Sequence, residues 1–168
     1  SINQSGGYVN WHSKHHYPNL QIYFNPLTYS ITHRNKRPLL KTDKFNGFII
    51  GYNSCRPKSL GRVALNSPNF EDAPLIDPNF LSHEEDIYDV KCAINFSQVL
   101  ANTNSIKKIR NESVTHDLLN ATEEEMIDHF KSNAVSIYHP CGTCKMHEDH
   151  KKGVVSERLK VHGMENLW

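Results

Sequence analysis

The chain has 168 residues, with 19 Lys and Arg against 18 Asp and Glu and a net charge of +1 when histidine is neutral. That length suits one domain able to bury a core. The cancelling charges exclude any evident nucleic-acid or anionic-membrane partner, and no apolar run is long enough to cross a bilayer.

The first residues lack a charged start followed by an apolar block, so no secretory leader is read there. Four cysteines in a chain this size do not make a disulfide framework. Cys55 and Cys92 read as small apolar residues or free thiols, and a reducing, cytoplasmic setting is the plainer expectation. Both ends look cut, because Ser1 opens in polar residues and Trp168 follows directly on the apolar stretch from Val161 to Leu167. We expect a fragment whose partner segments lie elsewhere.

Through Pro18 the chain is rich in Gly, Asn, Ser and His and predicts loop. His12, His15 and His16 are close in sequence, but without an acidic or Cys companion they read as solvated rather than as metal ligands. Leu20, Ile22 and Phe24 alternate with Gln21 and Tyr23, the period of a half-buried strand, which Asn25-Pro26 should end. Residues 31–46 read as a long exposed excursion. Its basic cluster, His33 to Arg37, has no interleaved aromatic residue and suggests solvent rather than an anion. Phe48 to Asn53 and Arg62 to Asn66 predict an antiparallel pair joined by the Pro/Gly loop 56–61.

Pro68 to Pro78 predicts a turn-rich surface link. Ser82 with Glu85 forms a capping box, and Ile87, Val90, Ile94 and Ala101 give the following helix an apolar face that should pack on the sheet. Thr122 with Glu125 caps a shorter helix with Met126, Ile127 and Phe130 as its stripe. Residues 103–120 carry no clear pattern. Val135 and Ile137 alternate as a short strand, and the tail reads as a turn followed by an extended segment at Leu159 and Val161. These elements predict an α+β fold, an antiparallel sheet with helices packed on one face.

Chemically capable side chains concentrate in Tyr138-His139-Pro140-Cys141-Gly142-Thr143-Cys144-Lys145-Met146. His139, Cys141, Cys144 and His147, with His150 in reserve, could supply a small metal module. Four ligands within nine residues make a tight loop, however, and structural zinc sites draw their second pair from a distant segment. A thioredoxin-like pair would open a helix, which this stretch does not resemble. An imidazole is suited to proton transfer at neutral pH, and Pro140 restrains His139 towards extended backbone. On composition alone, a turn histidine with a satisfied ring remains the plainer reading.

The stretch from Tyr138 to Met146 nevertheless resembles the C-terminal signature of the glucose–methanol–choline (GMC) family of flavin oxidoreductases. Arg56-Pro57-Lys58-Ser59-Leu60-Gly61-Arg62-Val63 resembles the family's hairpin, and Pro74 to Phe80 its following link. Ser82 to Asp86 resembles its helix start, and Val154-Val155 with Leu159 to Leu167 the approach to its C-terminal end. The flavour is that of choline or alcohol dehydrogenases. The resemblance implies FAD as cofactor, a small alcohol as substrate, and hydride transfer from the carbinol carbon to flavin, with His139 taking the hydroxyl proton. It places Tyr138 in the substrate pocket; Asn53 and Arg56 could support the site, although a structural role for the hairpin is the plainer reading.

The resemblance also implies a division of the chain. Residues 1–138 would be part of the substrate-binding domain. Residues 139–168 would carry the active-site motif and return to an FAD-binding domain. The Gly-rich dinucleotide fingerprint is absent from these residues, so FAD binding and the second catalytic residue are expected outside them. His147 departs from the pattern, which has glycine after the methionine. A peripheral contact with a membrane or an electron carrier is left open for the parent enzyme.

Overall fold

The computed structural model describes residues 4–32, 39–111 and 120–168. In chain order its elements are β1 (Ser5–Val9), β2 (Leu20–Asn25), β3 (Tyr29–Thr32), β4 (Leu39–Thr42), β5 (Ile49–Ser54), β6 (Arg62–Ala64), β7 (Leu75–Asp77), α1 (Glu84–Ala101), α2 (Asn104–Lys107) and α3 (Glu123–Asn133). The fold is α+β, as expected from the sequence, but the strands form three small antiparallel sheets rather than one. Their orders are β1-β2-β5, β3-β4 and β6-β7. By compactness the chain divides into two units, Ser1–Ser59 with Leu81–Asn133 and Leu60–Phe80 with Ala134–Trp168.

The first unit holds the core. The alternation in β2 buries Leu20 and Ile22 and leaves Gln21 and Tyr23 half-buried, and Asn25-Pro26 ends the strand as expected. Ile22 sits opposite Gly7 of β1 and Tyr52 of β5. One side of α1 packs Cys92 and Ala93 against Leu20 and Ile22, with Trp11, Ile50, Tyr52 and Phe96 around them. Another side packs Val90 and Ile94 against Met126 of α3, flanked by Ile127 and Phe130. The apolar stripe of α1 read from sequence therefore meets α3, and a second set of small residues meets the sheet. A helix sandwiched between two layers buries more than one stripe. Tyr52 stacks on Phe130 at 5.5 Å, and burial pushes its phenol pKa up.

The starts of α1 and α3 both have side-chain caps. At α3 the expected reciprocal box is present: Thr122 N donates to Glu125 Oε2 at 2.8 Å, and Glu125 N donates to Thr122 Oγ1 at 3.3 Å. At α1 the cap is His83 rather than Ser82, its Nδ1 accepting from Glu85 N at 3.2 Å. Asp86, only 5% exposed, turns away from the helix end. Its two oxygens accept the backbone N–H of Lys58 at 2.7 Å and of Ser59 at 2.8 Å. Burial alone would raise the Asp86 carboxyl, but these N–H groups, with the Ser59 hydroxyl and His83, outweigh it and hold the pKa below its ordinary value.

That clamp explains why the expected β5–β6 pair does not form. Pro57 has no N–H to donate and the next two N–H groups belong to Asp86, so the chain leaves the sheet after Ser54. β5 pairs β2 instead, and β6 pairs β7 with Val63 opposite Ile76. The sequence reading also missed β1, where Ser5-Gly6-Gly7 looked like loop, and the β3–β4 hairpin inside the supposed excursion. The basic cluster 33–37 lies outside the described residues. In the patternless stretch 103–120 the structure has the short α2. Val135 and Ile137 are irregular rather than a strand.

The second unit is built on β6–β7 and the irregular segment 134–168. None of its described residues is buried. Large apolar side chains are exposed instead, among them Leu60, Leu65, Ile76 and Phe80, with Phe70 at 94%. Among the described residues of the chain, no helix is long and apolar enough to cross a membrane.

Candidate active site

His139 lies in the second unit, on a loop whose backbone is set on both sides. Tyr138 has φ +61°, a left-handed conformation that costs a non-glycine residue roughly 1 kcal/mol or more. Its N–H donates to Ser136 Oγ at 3.0 Å. Pro140 follows and biases His139 away from the helical region. The loop turns again at Gly142, where φ is +98° and a side chain would be strained. Residues 134–146 are all exposed, with Tyr138 at 74%. Among the described residues the exposed His139 makes no ring hydrogen bond or ion pair. The satisfied turn histidine that composition favoured is not what the structure holds.

Beyond Met146 the loop is anchored to a small scaffold. Met146 bridges Val155 in parallel, and Val155 bridges Val161 in antiparallel. His147 N donates to Val155 O at 2.9 Å and Val154 N donates to Lys145 O at 2.8 Å. His147, the departure from the family pattern, uses Nδ1 to accept from Asp149 N at 2.9 Å. Its neutral ring therefore carries its proton on Nε2. His162 Nε2 donates to the His147 carbonyl at 2.8 Å. Gly153 is required here, since a Cβ would stand 2.7 Å from His147 N and 2.8 Å from Lys145 O. Sequence reasoning missed this bracing by Gly153 and His162, because residues in irregular backbone have no periodicity to reveal them.

The metal alternative finds no support. Among the described residues no three His, Cys, Asp or Glu side chains gather as a metal-holding group. One ring nitrogen of His147 is already an acceptor for the backbone, and His150 Nδ1 lies 3.9 Å from Asp149 Oδ1. Cys141 and Cys144 are free and exposed, Cys92 is free and buried, and Cys55 is free and half-buried. In the first unit His15 stacks on Tyr17 at 4.9 Å and His12 meets Trp11 edge-on at 5.1 Å.

Asn53 and Arg56, read as supports, lie in the first unit. The Asn53 amide donates to Ser54 O at 3.0 Å, and its Oδ1 is buried without a hydrogen-bond partner. The Arg56 guanidinium lies over the Tyr17 ring at 4.4 Å. A cleft beside them, lined by Lys14, Tyr17, Arg56, Lys58, Tyr88 and other residues, encloses about 40 Å³.

The fold is shared with solved oxidase structures. The chain superposes on pyridoxine 4-oxidase of Mesorbium loti with a TM-score of 0.75 over 99% of this chain and 32% of that one, at 20% identity. It superposes on formate oxidase of Aspergillus oryzae with a TM-score of 0.69 over 89% and 26%, at 24% identity. These likenesses concern the fold alone. Residues 57–168 match the family model described as GMC oxidoreductase, and the chain belongs to that family. It is 34% identical over 167 residues to an alcohol dehydrogenase [acceptor] of Pseudomonas putida, covering 99% of this chain and 29% of the relative. An oxygen-dependent choline dehydrogenase of Cronobacter sakazakii is 29% identical over 164 residues, covering 98% and 28%. The chain thus spans under a third of the length of these relatives.

Proposed function

We propose that these residues are the C-terminal, substrate-side part of an FAD-dependent oxidoreductase that oxidises an alcohol CH–OH group to a carbonyl, with His139 as the general base. Residues 1–138 serve substrate binding, and residues 139–168 carry the catalytic loop and lead back to the FAD-binding domain. FAD, held by the rest of the parent protein, is the hydride acceptor. The exposed apolar side chains of the second unit support a missing partner of that kind. The four unbridged thiols support a reducing, cytoplasmic setting.

The observation that carries this reading is the state of His139. Its backbone is constrained between a left-handed Tyr138 and Pro140, while its imidazole is free to meet a substrate. A general base needs that combination: a fixed direction and an unoccupied lone pair. Taking the hydroxyl proton builds alkoxide character on the carbinol oxygen, and hydride departs more readily from the carbon that bears it. Tyr138, exposed on the neighbouring position, offers an aromatic wall to the alcohol.

The test uses the full-length protein. His139→Ala should slow anaerobic flavin reduction by alcohol by about 100-fold or more, the usual worth of a positioned base. Flavin content should stay at the wild-type level. Unaltered reduction kinetics in that variant would remove His139 from the mechanism.

A further inference from the structure

Cys141 and Cys144 have no role in the proton step, yet they flank the turn immediately after His139. Both are free and exposed, and neither makes a hydrogen bond among the described residues. The other two thiols are placed differently. Cys92 is packed in the core beside Ala93, Leu20 and Ile22. Burial pushes the pKa of both Cys55 and Cys92 up, which suppresses the reactive thiolate. We propose that Cys141 and Cys144 are a peroxide-reactive dithiol whose closure to a disulfide draws the loop out of the conformation that aims His139.

The local geometry favours closure within the chain. The two cysteines are three residues apart, so the loop-closure cost is small. Gly142, at φ +98°, already bends the backbone between them, and the space around its Cα is open. No neighbouring atom lies within 4 Å of where a Gly142 Cβ would stand, which leaves the turn room to adjust as the cysteine Cα atoms come to bridging range, about 4.4–6.8 Å. Access follows from the functional reading: a pocket that admits an alcohol to His139 admits a molecule as small as hydrogen peroxide.

The chemistry balances with peroxide as oxidant. One sulfur, on giving up its proton, attacks a peroxide oxygen. The O–O bond breaks, one water leaves, and a sulfenic acid remains on that sulfur. The second sulfur attacks the sulfenic sulfur, the S–O bond breaks, the S–S bond forms, and its proton leaves with hydroxide as a second water. Two thiols have lost two electrons and two protons, and one peroxide has become two waters. A transient bond of this kind is compatible with a reducing compartment, where sensing disulfides form and are reduced again.

Treatment of the full-length protein with hydrogen peroxide should lower its mass by about 2 Da, the loss of two hydrogens. Digestion without reductant should give a peptide linked between Cys141 and Cys144, and dithiothreitol should restore both thiols. Alcohol-driven flavin reduction should fall by at least about 10-fold on oxidation and return on reduction. Cys141→Ser and Cys144→Ser should each abolish the mass loss of about 2 Da, the linked peptide and the loss of rate. Peroxide that yields only sulfinic acid on one cysteine, a link to Cys55, or dimers joined through Cys144 would overturn the proposal. So would a Cys141–Cys144 disulfide that leaves the rate unchanged. The rate arm rests on the proposed function, whereas the linked peptide is read by mass alone. A reduced protein whose flavin no alcohol reduces would thus defeat the functional reading without touching the disulfide chemistry.

Discussion

Replacing Asp86 tests how the first unit is tied to the segment that precedes β6. The carboxylate is 5% exposed and accepts two backbone N–H groups, from Lys58 at 2.7 Å and Ser59 at 2.8 Å. Asp86→Ala strands both donors where little water can replace the acceptor. Each costs about 1–3 kcal/mol, so we expect a loss of about 3 kcal/mol in urea unfolding at neutral pH. Asp86→Asn keeps one acceptor but turns an amide N–H towards the other donor, and should lose about half as much. The pH dependence has a definite sign. Folding lowers the Asp86 pKa, so the native state is favoured by this group above the ordinary carboxylate range. That stabilisation fades as pH falls below about 4 and through the native pKa. The gap between wild type and Asp86→Asn should therefore narrow in acid. A wild-type-like stability for Asp86→Ala, within about 0.5 kcal/mol, would refute the clamp.

Two further substitutions probe local devices. Thr122→Ala removes half of the reciprocal cap of α3 and should cost about 1 kcal/mol, with faster amide exchange at Glu125; unchanged exchange there would deny the cap its role. Gly153→Ala drives a Cβ into the backbone of His147 and Lys145 and should cost about 1–3 kcal/mol. Exchange at Val154 and Val155 should rise while the amides of α1 keep their protection, and a variant with no change at Val154 would show that the turn can give way.

What could be read from the sequence depended on the range of the interaction. The cap at Thr122–Glu125 and the alternation of buried Leu20 and Ile22 with half-buried Gln21 and Tyr23 are local patterns, and both appear as expected, although Phe24 is only half-buried and Asn25 takes the buried place. The partner of each strand is not local. Loop 56–61 looked like a connection between paired strands because its turn residues were legible, while the competing claim of Asp86 on Lys58 and Ser59 crosses 28 and 27 residues. The cap of α1 fell one residue later than expected because histidine can accept through Nδ1, a role reserved in sequence rules for hydroxyls and carboxylates. At the candidate site, the motif containing His139 was conspicuous by its residue types. The bracing by Gly153, His162 and Val155 was invisible, since irregular backbone leaves no period to detect.

The left-handed backbone of Tyr138 is a posture that glycine adopts at little cost and a tyrosine only at roughly 1 kcal/mol or more. A change to glycine at this position would thus trade the aromatic ring for thermal robustness of the loop.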